Sequence, residues 1–142
     1  MAADRQKMID VLKLLVVPSL RDRGFKGSFP HFRRIEQNKT DVLTFQFDKW
    51  GGGFIIEIGS GTPEGTILPW GEVVPATKLT AHDLYGSDRA RLSSGPKTKT
   101  GKWFRYDDNT QESFEAAADE VLNLLPQADL WWEGKKNQPN IE

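Results

Sequence analysis

The chain contains no cysteine. That excludes disulfides, thiolate metal sites and thiol nucleophiles together, and it suits a reducing compartment. Histidine is nearly as scarce: His31 and His82 are the only two, and neither has a second histidine at ligand spacing. A zinc site would therefore have to be completed by carboxylates, and no metal is expected. No apolar run approaches the roughly 20 residues that span a bilayer. The opening MAADRQKMID carries acids and no apolar signal core, so a cytoplasmic protein without a membrane partner is expected. Charge of one sign is missing as well. Nineteen Lys and Arg face twenty Asp and Glu, a net charge of −1, which gives no global pull toward nucleic acid.

Eight Phe and five Trp in 142 residues can build a core, and the length suits one domain over residues 1–133 with a flexible tail at 134–142. Residues 5–23 read as an amphipathic helix, with Met8, Leu12, Leu15 and Val16 on one stripe. Pro18 should kink it, and Gly24 before Phe25 should stop it. Strands follow. Residues 29–36 form the first, EQNKTD turns the chain, and DVLTFQFDKW alternates with Leu43, Phe45 and Phe47 on one face. After the GGG break, Phe54, Ile56 and Ile58 resume the period of two. This is an antiparallel meander with one buried and one partly solvated face. Residues 62–101 have no clean period and hold Pro63, Pro69, Pro75 and Pro96, so loops and short strands are expected, with mobility around SSGPKTKTGK. A strand at 102–106 and a helix capped by Asn109 and Glu112 close the chain. Phe114, Ala118, Val121, Leu122 and Leu125 line the helix, and Pro126 should end it or open a short turn carrying Leu130, Trp131 and Trp132.

Two stretches imitate phosphate loops. EIGSGT at 57–62 resembles the strand-to-loop turn of nucleotide-cofactor methyltransferases, which requires a helix directly after the glycines. TPEGTILPWGEVVP follows instead, with three prolines in fourteen residues. Only 81 residues remain after Gly61, too few for the doubly wound sheet when each strand–helix–strand unit takes roughly 30. GPKTKTGKW has five residues between its glycines rather than four and Trp103 where a hydroxyl belongs. Both fail, and no cofactor is expected.

The remaining chemistry is sparse. No nucleophile elbow surrounds Ser60. Glu57 alternates onto the face opposite Phe54, Ile56 and Ile58; a general base in a cleft is open to it, but a solvated strand residue is the better reading. Charge distribution says more. Residues 86–106 hold six bases against Asp88, and residues 107–133 hold eight acids and no base. The basic stretch beside Trp103, Phe104 and Tyr106 has the elements of single-strand binding, but nucleic acid is disfavoured by the overall charge. Glu112, Glu115 and Asp119 share a helix face at spacings of three and four, suited to a basic protein partner or simply to solvent.

The order of features, from the proline-containing first helix and RGF stop through FQFDKW to KWFRYDD and LPQADLWW, resembles a bacterial family described as domain of unknown function 4304. The resemblance covers residues 8–60 and the C-terminal part. It implies a compact α+β domain, an antiparallel β-meander sheet with an N-terminal and a C-terminal helix packed on it. It carries over no catalytic residue. Gln46 and Trp50 sit in its strand motif. The leading expectation is a non-enzymatic protein-binding domain acting through Glu112, Glu115 and Asp119. The alternative is a small-molecule or enzymatic cleft between the face bearing Gln46 and Glu57 and the irregular middle, with Trp70 or Trp103 as its wall.

Overall fold

A computed structural model describes residues 4–94 and 103–142. The expected α+β architecture is present. Helix α1 (Arg5–Leu15) is capped by the Asp4 side chain, and α2 (Val17–Asp22) begins at a break that places Pro18 in its first turn, where the missing N–H costs nothing. Gly24 then ends the helical segment at a φ of +90°. The main sheet runs in the order β1 (Lys26–Ser28), β2 (His31–Ile35), β3 (Thr40–Phe47), β4 (Gly53–Gly61), β7 (Arg89–Leu92), all antiparallel. The short strand β8 (Phe104–Arg105) also pairs with β4, beside Gly53 and Phe54. A separate hairpin joins β5 (Gly65–Ile67) and β6 (Val73–Pro75). The long helix α3 (Gln111–Trp132) lies with α1 and α2 on one face of the sheet.

The period-two pattern places the core as expected. Leu43, Phe45, Phe54, Ile56 and Ile58 point to the helices and meet Met8, Leu12, Phe114, Val121 and Leu125. Aromatic rings continue this layer, with Phe29 on Phe45 at 4.9 Å, Phe54 on Phe104 at 5.2 Å and Tyr106 near Phe114 at 5.9 Å.

Four expectations need correction. The N-cap of α3 is Thr110, whose hydroxyl accepts from the Ser113 amide while Ser113 reciprocates. Asn109 instead takes a left-handed φ of 54°, a conformation that asparagine tolerates, and its side chain accepts from the Asp4 amide. Pro126 neither ends nor restarts α3; the helix runs through it to Trp132. The last residues, expected to be flexible, return along β7: Arg91 and Glu142 exchange backbone bonds, Ser93 donates to Asn140, and Ile141 is 1% exposed.

The fourth correction concerns the second face of the sheet. Residues 62–88 fold the hairpin and three single 3₁₀ turns against it, at Ala76–Lys78, Ala81–Asp83 and Gly86–Asp88. Val42, Leu79, Ala81 and Leu84 form a small second core there. Gly59 and Gly61 lie within β4, and their lack of a side chain is what admits the cover. A Cβ on Gly59 would lie 2.5 Å from Leu84 Cδ1 and 3.0 Å from the Asp88 carbonyl oxygen; one on Gly61 would lie 2.9 Å from Leu79 Cδ2. Gly59→Ala is accordingly expected to cost about 1–3 kcal/mol by overpacking. In a Leu84→Ala background the same change should cost less, as read from urea-unfolding midpoints. Equal costs in both backgrounds would remove Leu84 from the explanation.

Candidate functional site

The second face carries a polar row set by strand register. His31 lies opposite Thr44, Thr44 opposite Glu57, and Glu57 opposite Arg91. Glu57 was read as a wet strand residue and is not: it is 4% exposed. Arg89 Nε and Nη2 grip its Oε2, and Arg91 Nη2 stands 3.9 Å from Oε1. A carboxylate gripped by one guanidinium and faced by a second is committed to a buried ion pair, which is a structural engagement rather than an open site. Its burial follows from the cover over β3 and β4, which a local alternation pattern does not contain.

His31 and His82, distant in sequence, come together at the other end of that row. Their rings are 6.1 Å apart and edge-on, and His31 Nδ1 is 3.2 Å from Thr44 Oγ1. Burial first, then the neighbouring His82 and Arg33, push the His31 pKa below its ordinary 6.5, against a smaller opposing pull from Asp83. At neutral pH the imidazole is uncharged. Among the described residues no group of three His, Asp or Glu could hold a metal ion.

Gln46 is exposed at the end of β3, diagonal to Glu57 on the same face. It lines an open groove of about 530 Å³ together with Arg5, Ile9, Lys13, Phe29, His31, Phe47 and His82. His82 comes from the middle segment, so one wall of the expected cleft is there, but Glu57 does not line it. Trp50 is 80% exposed in the glycine turn after β3, with the Lys49 ammonium 5.1 Å from its ring. Trp70 stands exposed at the tip of the β5–β6 hairpin between the cross-strand pair Ile67 and Val73, which is exposed too. Trp103 is half-buried next to β8. None of these three tryptophans lines the groove. The stretch GPKTKTG and most of SSGPKTKTGK fall outside the described residues.

On α3, Glu112, Glu115 and Asp119 are all exposed. Glu115 accepts from Gln111 at 2.8 Å, and none of the three pairs with a cation among the described residues. The other acids of the helix are engaged: Glu120 accepts from Ser94 at 2.7 Å, and Asp129 receives Arg23 at 2.9 Å. No helix among the described residues is long and apolar enough to cross a membrane.

Sequence reasoning missed the histidine pair and the groove. Both arise where the pairing with β2 stops three residues short of the end of β3, a property of register rather than of composition.

Comparison with known proteins agrees with the resemblance drawn from the motifs. A family model described as Domain of unknown function (DUF4304) matches residues 16–135. No curated protein and no solved structure matches.

Proposed function

The chain belongs to the DUF4304 family, which brings no activity with it, and from its own surfaces we propose that it is a non-enzymatic binding module whose α3 face receives a basic protein partner. The observation that carries this reading is the state of Glu112, Glu115 and Asp119: three exposed carboxylates on one helix face, unpaired with any described cation, on a helix without a Lys, Arg or His. Carboxylates left free on a rigid helix preserve their charge for an incoming surface. Their joint field speeds encounter with a cationic partner and falls off over a Debye length of about 10 Å at 0.1 M salt.

The test is an affinity capture from the cell of origin with the wild-type chain and the triple variant E112K/E115K/D119K, at low and at high salt. The expected result is one or more basic proteins held by the wild type at low salt, released at high salt, and absent from the variant. The three positions are exposed, so the variant should fold with a stability change within about 0.5 kcal/mol per site. A variant that retains every partner of the wild type sinks the proposal.

A further inference from the structure

The groove beside Gln46 has a floor and a rim of different chemistry. Its floor is aromatic and aliphatic: Phe29, Phe45 and Phe47 with Ile9 of α1. Its rim is polar: the cations Arg5 and Lys13 on α1, with the imidazoles of His31 at the start of β2 and His82 from the middle segment. Arg5 and Lys13 are exposed, and the Lys13 ammonium has no partner among the described residues. Arg5 stands 5.8 Å above the Phe47 ring and donates to the Asp48 carbonyl oxygen at 3.0 Å. Three carboxylates of this region have partners of their own, Asp83 accepting from the Thr80 amide and hydroxyl. Asp10 accepts from Gln6, and Asp48 accepts from the Trp50 amide and faces Arg105 at 3.8 Å.

The backbone adds a donor. The Phe45 amide donates to the Pro30 carbonyl, and the Asp48 amide donates to Gly53 on the opposite side. Alternation along an antiparallel strand then turns the Phe47 amide toward the side that β2 has left. A strand edge whose Phe47 N–H has no backbone partner among the described residues, an aromatic floor and two cations at the rim is complementary to one kind of molecule. A flat apolar body fits the rings, and an anionic group at its end meets Arg5, Lys13 and the Phe47 amide. The imidazole rings of His31 and His82 can add hydrogen bonds at the same rim. The volume of about 530 Å³ lies in the range of small-ligand sites and exceeds what a bare anion needs.

We propose that this groove is a binding site for a small planar organic anion, an aryl or heteroaryl carboxylate or phosphate, seated on Phe29 and Phe47 with its charge at Arg5 and Lys13. The site stands apart from the acidic face of α3 and does not depend on the reading given to that face.

The probes are 1-naphthoate, its neutral counterpart 1-naphthamide, and inorganic phosphate, titrated into the full chain and followed by amide chemical shifts and calorimetry. Naphthoate is expected to bind with a Kd on the order of 1 mM, as suits a ligand of its size in an open groove. The shifts should centre on Ile9, His31, Gln46 and Phe47. The amide and inorganic phosphate should each bind at least about fivefold more weakly, because each lacks one half of the match. Lys13→Glu, at an exposed position with no partner to lose, should weaken naphthoate about fivefold or more, while Lys7→Glu on the same helix but outside the groove should leave it unchanged. Naphthamide binding as tightly as naphthoate overturns the proposal, as does no effect of K13E, or shifts centred away from the groove. Phosphate matching naphthoate would assign a simple anion site and overturn it equally.

Discussion

Trp132→Ala should lower the free energy of unfolding by about 3–5 kcal/mol, the range for removing a large buried aromatic side chain. Trp132 ends α3 and is 4% exposed. Its ring packs on Phe25 at 4.9 Å, and its indole N–H donates to the Gly59 carbonyl at 3.1 Å. Alanine would open a cavity where α3, the α2–β1 corner and β4 meet, and would take the indole donor away from the Gly59 carbonyl. The two contributions separate in Trp132→Phe, which keeps most of the volume and loses only the hydrogen bond, at an expected cost of about 1–2 kcal/mol. Trp50→Ala is the control, since a residue 80% exposed should change stability by less than about 0.5 kcal/mol. Urea unfolding followed by far-ultraviolet dichroism measures all three, with an unchanged m value showing that the change lies in stability rather than in the unfolded ensemble. A loss below about 1 kcal/mol for the alanine variant would mean that the helix end is not anchored by this residue.

Trp132 also illustrates how much of the molecule can be read from the chain. The helical stripe of Met8, Leu12 and Val16 and the alternation of Phe54, Ile56 and Ile58 are periodic signals, and each lies in the core. Such signals depend only on neighbours along the chain. The run past Pro126 to Trp132 does not, because a proline inside a helix is tolerated when the turn beyond it is held by tertiary packing. The apolar Trp131 and Trp132 supply that hold. Asn109 and Thr110 are both competent caps, and the choice between them depends on the Asp4 amide 105 residues away. Glu57 was placed on the correct face by alternation, yet what covers that face is an aperiodic segment folded back from residues 62–88. The acidic face of α3 was legible because helical spacing alone assembles it. The groove was not, because it exists only where one strand outruns its neighbour.

Asp41 carries the other large effect. Its carboxylate has no solvent exposure at all. Oδ2 accepts from Arg34 Nη2 at 2.8 Å and lies 3.3 Å from the Lys39 ammonium, and Oδ1 accepts from the Ser60 hydroxyl at 3.1 Å. The Arg34 guanidinium in turn lies against the adjoining rings of Phe25 at 4.6 Å and Trp132 at 5.4 Å, with Nη1 donating to the Arg23 carbonyl. Asp41→Ala removes the closer and fully buried of the two carboxylates that face Arg34, leaving only Glu36 at 3.9 Å. Removal of one partner from a buried pair costs about 3–5 kcal/mol; because Arg34 and Lys39 each retain some exposure and can regain water, the lower end, about 3 kcal/mol, is expected here. Asp41→Asn keeps the shape and part of the hydrogen bonding, and should cost about 1–2 kcal/mol. The link through Arg34 makes a sharper claim. Asp41 and Trp132 both contact one guanidinium, so losing either loosens the cation and reduces what the other can lose. The double variant should therefore fall short of the sum of the single losses by about 0.5 kcal/mol or more in a urea double-mutant cycle. Strict additivity would show that the aromatic contact and the ion pair act independently, and that Arg34 does not join the β2–β3 hairpin to the end of α3.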